Sequence, residues 1–548
     1  MKSLQALDGG SAEDPRRYNV YDGRQAVPTF HNTIHHVVED AADTYSEVSA
    51  IQLRKEYNFP RVDSYTASYA SSMTDTPGNS ATMSSISLEK AIVGDDLPDC
   101  TLPKKNGIHG WRWLRYRAMT VYQRLFSIIL LANIVPFAII LWQSRRYSFA
   151  LPLPTLITAV TSNFLCSVLL RQDYVVDMLF FLASRLPTSF PLWLRQHFAR
   201  IYHYGGVHSG CAVTATLWWI VFAIDATRYY IRETPISGRH YNVNTATVVI
   251  TYLVLMLLVG ILGMAHPAVR VRMHDQFEWA HRFFGWTAVG LVWVHLVVAT
   301  TSLSAGDVGS ANVGSGLAKT PSLYLITAIT ISIALPWIRL RKVNVIAEPL
   351  SKHAVRLHFD FFTPRKASSV AVRLTDRPMV EWHAFAGIFE PGKKGFSVIV
   401  SRAGDWTGRI IDKPPTTLWT RGQPTSGVLA VVPLFKKIVL IATGSGIGPC
   451  IPVILDRGVE CRILWSTKNP LKTYGQEILD NIYSMDPNAV VWDTDRQGRP
   501  DLLLLAYQLY RESGAECVVV ISNAKVTGNL LYGLESRGVP AFGPIFDS

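Results

Sequence analysis

A chain of 548 residues is long enough for two or three domains, and its 49% hydrophobic and 17% charged composition points away from a wholly soluble enzyme and toward a membrane protein. The net charge of +12 would suit nucleic acid in a soluble protein. Many of the arginines, however, fall in short segments between apolar runs, where positive-inside flanking accounts for them, so no nucleic-acid partner is expected. The six cysteines (Cys100, Cys166, Cys211, Cys450, Cys461 and Cys517) show no C-x-x-C pair and no His/Cys ligand spacing, which argues against a disulfide framework, a zinc site or an iron–sulfur cluster.

Residues 1–110 are polar and rich in hydroxyls, as in Ser64-Tyr65-Thr66-Ala67-Ser68, and read as a disordered cytosolic tail. Six apolar runs follow within 111–342, near 120–142, 152–170, 209–227, 244–264, 280–300 and 321–338. Each approaches the ~20 residues that cross a hydrocarbon core. The second continues through Arg171-Gln172-Asp173 into a further apolar stretch, so it is either one long tilted helix or a helix ending in an interfacial one. Basic residues before the first run, between the second and third, between the fourth and fifth and after the sixth place both termini in the cytosol, with 302–320 on the opposite face. Arg145–Arg146 and the group Arg228, Arg232 and Arg239 run against that orientation. From Val343 the pattern changes to short β-rich runs, then to strands alternating with helices. This predicts a β-barrel over 343–435 and a doubly wound α/β domain over 436–548.

Ionisable residues inside apolar spans are costly and usually functional. His281 and His295 lie fourteen apart in the fifth run, roughly 320° and about 21 Å along a helix, so both imidazoles share a face at two depths. That is how one helix presents axial ligands to stacked haems. His203 and His208 are the candidate partners on the third run. Their fourteen-residue successors are Leu217 and Phe222, so at most one haem b is expected, its iron held by His281 with His203 or His208. His295 then has a structural role open to it. Further on, Lys437–Thr443 is an apolar run ending in Gly444-Ser445-Gly446-Ile447-Gly448-Pro449. Such a strand-to-helix turn offers free N–H groups and a helix dipole to a pyrophosphate, and Gly446, at its centre, is expected to make room for it.

Residues 115–548 resemble the NADPH oxidase and ferric reductase family. The likeness is carried by His281-Arg-Phe-Phe-Gly with His295, by Phe396–Ser401 running into Gly404-Asp405-Trp406-Thr407, and by Gly498-Arg499-Pro500. Tyr202–Gly210 and Ala442–Cys450 are more similar to a fungal transmembrane flavoprotein family of the TmpA type, linked to asexual development and conidiation. The resemblance implies an α-helical membrane bundle of six transmembrane helices followed by a ferredoxin-reductase-like module. It also implies FAD contacts at His383, Phe385, Asp405, Trp406, Thr407 and Phe546, and NAD(P)H contacts at Gly444, Gly446, Gly448, Pro449, Lys468 and Arg499. Lys468 tips the balance slightly to NADPH. Departures are visible: His383-Ala-Phe-Ala lacks the family's hydroxyl, Arg421-Gly-Gln-Pro replaces its glycine-rich segment, and Ser522-Asn-Ala stands where it has Cys-Gly-Pro.

The resulting expectation is an integral membrane oxidoreductase in a lipid bilayer, passing electrons from NAD(P)H through FAD to a membrane haem or another acceptor. The rival is a degenerate reductase acting as a redox or nucleotide sensor in development. Trp406 and Thr407 have packing and turn roles as their plainer explanation.

Overall fold

The computed structural model describes residues 101–232, 241–304, 313–361, 370–390 and 394–545. The tail up to residue 100, Arg239, residues 305–312 between the fifth and sixth apolar runs, and Phe546 lie outside the described residues.

The apolar half is helical: α1 (Val121–Ser144), α2 (Leu153–Leu169), α3 (Asp173–Ser184), α4 (Gly205–Ile231), α5 (Thr245–Ala265), α6 (His274–Ser304) and α7 (Pro321–Ile338). Local chemistry sets the starts. Asn244 Oδ1 accepts from the Thr247 N–H at 2.8 Å to cap α5, and proline stands in the first turn of α2 and α7, where no N–H is needed. Among the described residues, five helices are long and apolar enough to cross a membrane, and six if the pair α2 and α3, bent by 68°, counts as one span. The bend answers the question left by the second run. Gln172 caps α3 by accepting from the Tyr174 N–H, and Asp173 turns inward to pair with Arg373 at 2.8 Å.

α4 is the central helix, with Trp219 and Phe222 fully buried against Leu153, Leu156 and Ile329. Its small residues have a purpose. A Cβ on Gly206 would strike the Tyr122 carbonyl oxygen, and one on Gly210 would come within 3.0 Å of Phe126 O. The glycines let α1 approach, as small residues do wherever helices pack without a hydrophobic drive between them.

Next come β1 (Arg341–Asn344), β2 (Ile346–Ser351), β3 (Ala354–Phe359), β4 (Val370–Thr375), β5 (His383–Ala386), β6 (Phe396–Ser401), α8 (Asp405–Asp412), β7 (Thr417–Thr420) and β8 (Thr425–Ser426). One sheet runs β1-β7-β4-β5 with β8 on β4, the other β2-β3-β6, and an Ile388–Ser397 bridge joins them. Leu357, Leu374, Val398 and Leu418 fill the interior, each contributing about 1.5–3 kcal/mol over exposure.

The last part alternates β9 (Lys437–Thr443), α9 (Ile447–Asp456), β10 (Glu460–Thr467), α10 (Gln476–Met485), β11 (Val490–Asp493), α11 (Leu502–Ser513), β12 (Cys517–Ile521), α12 (Ala524–Glu535) and β13 (Ala541–Phe542). The parallel order is β11-β10-β9-β12-β13. Ile438, Leu440 and Ala442 of β9 face one core, while Val439 and Ile441 face the other. Burial on both faces makes the strand continuously apolar rather than alternating.

The parts are bolted together. Arg356 of β3 bridges Glu477 of α10 and Glu390, each at 3.1 Å. Arg195, in the short helix Leu192–Phe198, holds Glu516 through both guanidinium nitrogens at 2.7 and 2.8 Å and donates to Leu434 O. Residues 103–106, expected to belong to the disordered tail, meet the C-terminal end of α12 and the turn after it: Asn106 N donates to Ser536 O at 2.7 Å.

Candidate functional site at the sheet edge and the adjoining cleft

In a doubly wound sheet, ligands bind outside the carboxyl ends of the strands where the order reverses. Here the reversal falls between β9 and β12. Thr443 closes β9, Ser522 follows β12, and their hydroxyls are 2.5 Å apart. Gly444 continues from Thr443 with φ +52°, a left-handed conformation that favours glycine. Trp465, fully buried in β10, donates its indole N–H to Gly444 O at 2.9 Å and has Tyr474 edge-on at 5.3 Å. Burial pushes the Tyr474 phenol up, keeping it neutral.

The three glycines of this turn have three different jobs. Gly444 serves conformation, since a Cβ there meets only the Tyr474 hydroxyl at 3.9 Å. Gly446 serves packing, a constraint that holds whether or not a pyrophosphate approaches the turn. Its φ is an ordinary −58°, and a Cβ would run into the Ile521 carbonyl, whose carbon lies 3.2 Å from the Cβ position. Gly448 faces Ile399 of the barrel at an ordinary 3.6 Å, and Pro449 sits in the first turn of α9. Lys468 follows β10, its side chain 80% exposed and 3.8 Å from Asp495. Arg499 is exposed beyond β11. Asn523, in the segment that departs from the resembled pattern, caps α12 by accepting from the Val526 N–H at 3.0 Å.

His383, Phe385 and Trp406 form a stack, with rings 4.2 Å and 5.7 Å apart. Trp406 is buried and donates to Asp376 Oδ1 at 2.8 Å. Thr407 Oγ1 accepts from the Ala403 and Gly404 N–H groups and closes the turn before α8, while Asp405 is exposed at that helix's start. Packing and turn chemistry thus account for Trp406 and Thr407.

The large open space lies elsewhere, in a 1610 Å³ cleft between α3, the barrel and the second half of α9. It touches neither that stack nor any of the four histidines singled out in the apolar half. Six cations line it (Arg185, Arg339, Arg341, Arg373, Lys394 and Arg421) against three carboxylates, Asp177, Glu390 and Asp456. Arg421 lies 4.6 Å from both the Trp337 and Trp382 rings, its buried Nε unpartnered. Burial brings its pKa down to about 10, with Arg373 and Arg282 adding to the shift, so it stays charged at neutral pH. The loop carrying it is clamped from the helical side: Gly422 N donates to Pro336 O, Gln423 Nε2 to Asp177 Oδ2 and Ser426 N to Asp177 Oδ1. Sequence reasoning missed this cleft. Arg421 registered only as a departure from a glycine-rich pattern, and Arg339 and Arg341 only as flanks of an apolar run.

Of the four histidines, His208 and His281 face each other with ring centroids 6.3 Å apart, and Ser167 engages His208 Nδ1 at 3.0 Å through Oγ. His203 lies on Tyr202 at 4.4 Å, its Nδ1 buried without a partner. His295 Nε2 meets Thr251 Oγ1 at 3.0 Å between Trp219 and Phe222, while its Nδ1 is buried without a partner among the described residues.

Residues 428–548 match the family model of the Adenylate-forming reductase 03009 C-terminal domain. Two relatives from Coprinopsis cinerea cover most of the chain. Adenylate-forming reductase 03009 is 42% identical over 472 residues, and Adenylate-forming reductase 06235 is 43% identical over 471. Each alignment spans 86% of this chain but only 44% of the relative, so the chain spans less than half the length of the proteins it resembles. A ferredoxin NADP+ reductase from Neisseria gonorrhoeae with bound FAD and NADP covers 37% of this chain and 98% of its own, at 12% identity and a TM-score of 0.32. A ferredoxin-NADP+ reductase from Plasmodium falciparum with 2'P-AMP covers 38% and 95%, at 11% and 0.30.

These relatives overturn the expected kinship with NADPH oxidases, ferric reductases and TmpA-type flavoproteins, because the proteins matching across the chain carry a different name. Electron delivery to a membrane haem, argued also from the His281–His295 spacing, and a part in conidiation find no support in these relatives and are set aside with that kinship. His208 and His281 remain a facing pair of buried imidazoles to which the relatives' names assign no role.

Proposed function

We propose that the chain is a nicotinamide-nucleotide-dependent reductase module with a dinucleotide seat on each side of α9. NAD(P)H takes the crevice at the carboxyl ends of β9 and β12, and FAD takes the cationic cleft. One observation carries the reading: a parallel sheet whose switch point is marked by the Thr443–Ser522 hydroxyl pair and the left-handed Gly444 at a helix start. The cleft supports the second seat, because six cations against three carboxylates leave positive charge for a pyrophosphate. α9 is ten residues, about 15 Å long, which an extended flavin dinucleotide spans. Bound flavin would supply hydride acceptance from the nicotinamide. Thr443 and Ser522 would orient the carboxamide end, Arg373 and Arg421 would hold phosphate, and the Asp177 clamp fixes the loop that carries Arg421.

The test is anaerobic reduction of the purified chain by NADPH and NADH, with flavin content read optically. R421A should lower flavin content, whereas T443V should raise the KM for the nucleotide and spare the flavin. A chain that holds no flavin and oxidises neither nucleotide refutes the proposal.

The apolar helices belong, on the same proposal, in a bilayer with both termini cytosolic. On α1 only Ser144 is buried, while Ile128, Leu131, Ile134, Val135 and Ile139 are 50–61% exposed, an apolar surface that water does not tolerate on a monomer. Release from membranes by alkaline carbonate without detergent would refute this.

A further inference from the structure

The segment entering α1 has two unlike sides. Residues 101–124 contain Lys104, Lys105, Arg112, Arg115, Arg117 and Arg124 and no acidic residue. One side is fastened to α12: Tyr116 donates to Glu535 O at 3.2 Å, Arg537 Nε donates to Pro103 O at 2.8 Å, and Lys105 and Arg117 lie 4.9 and 5.2 Å from the Tyr532 ring. The other side is bare. Ile108 is 80% exposed, Trp111 64% and Trp113 55%, with Arg115 exposed beside them.

Bare tryptophans interleaved with cations, a few residues ahead of an apolar helix, have the chemistry of the headgroup layer. Indoles settle at the interface, and each basic residue near an anionic leaflet is attracted to it. A protein partner would be expected to bring carboxylates to specific arginines, whereas the cations here flank the exposed indoles in sequence, Lys104 and Lys105 before Trp111 and Arg115 and Arg117 after Trp113. The geometry points to residues 104–117 as an anchor for anionic phospholipid headgroups, which by its other side ties the orientation of the nucleotide-binding domain to the membrane surface. The inference rests on the bilayer seat proposed above.

The test reconstitutes the full chain in phosphatidylcholine vesicles with and without phosphatidylserine, and reads the share of spin-labelled phosphatidylserine held in the motionally restricted shell against spin-labelled phosphatidylcholine. The wild type should select phosphatidylserine severalfold, less so in high salt. K104Q/R112Q/R115Q should bring the ratio close to one, and W111A/W113A should weaken selection while leaving its salt dependence. Reconstitution of wild type without selection, or selection kept by the triple variant, overturns the anchor alone. A chain that floats with neither vesicle overturns the bilayer seat and the anchor together.

Discussion

Replacing each glycine of the Gly444–Gly448 turn by alanine separates geometry from ligand contact. At Gly446 the new methyl meets backbone, the Ile521 carbonyl, with Ile521 Cγ2 also at 3.3 Å. The carbonyl cannot rotate away, so α9 must lift from β12. Overpacking of this kind costs about 1–3 kcal/mol, and a backbone obstacle puts it at the upper end. For a cooperative unit of about 200 residues, roughly 2–4 °C of Tm goes with each kcal/mol, so Gly446→Ala should lower the melting midpoint by roughly 5–10 °C. At Gly444 there is space but φ is +52°. Alanine there costs about 1–2 kcal/mol of left-handed strain, a loss of roughly 2–8 °C. At Gly448 the contact is an ordinary 3.6 Å, and helix propensity favours alanine by up to about 1 kcal/mol, so the midpoint should hold or rise slightly. Thermal melts of the full chain in detergent, followed by near-UV signal from the buried Trp465, give the order. A Gly446→Ala chain that melts with the wild type yet no longer binds NADPH would refute the packing argument and restore the pyrophosphate one.

Other perturbations bear on the junctions between parts. Arg195→Met strands Glu516 in a largely buried site, and breaking such a pair costs about 3–5 kcal/mol, visible as earlier release of the nucleotide domain to limited proteolysis. Arg195 and the Lys436 N–H hold the Glu516 carboxyl below its usual range, so this stabilisation is complete above the ordinary glutamate pKa of about 4.3 and is lost as pH falls through the depressed value. Glu516→Gln should flatten that acid limb of a stability–pH profile, and an unchanged limb would contradict the assignment. Asp173→Asn removes the Arg373 partner, and faster flavin loss on dilution, with nucleotide affinity intact, is the expected result. Gly206→Leu should separate α1 from α4 and lower the yield of folded chain, whereas Val207→Leu, beside it on a less enclosed face, should not.

Much of the architecture was legible because it depends on local patterning. Twenty-residue apolar runs, the short β-rich runs of the barrel, and the apolar β9 ending in glycines each record their own burial, so the helical segments and the switch from helical to α/β structure follow from the sequence. The glycine turn could be located from sequence, but its division of labour could not. Only the approach of α9 to β12 makes Gly446 a packing residue, and only the backbone conformation makes Gly444 a left-handed one. The cleft was illegible for a related reason. Asp173, Asp177, Arg373 and Arg421 are scattered over about 250 positions and belong to three different elements, α3, β4 and the β7–β8 loop, so no local pattern joins them. Kinship was the least secure reading, since short motifs shared among reductases spoke for a family that longer alignment contradicts. Periodicity encodes which face of an element is buried; what that face is buried against depends on contacts between distant segments, and those are decided only when the chain folds.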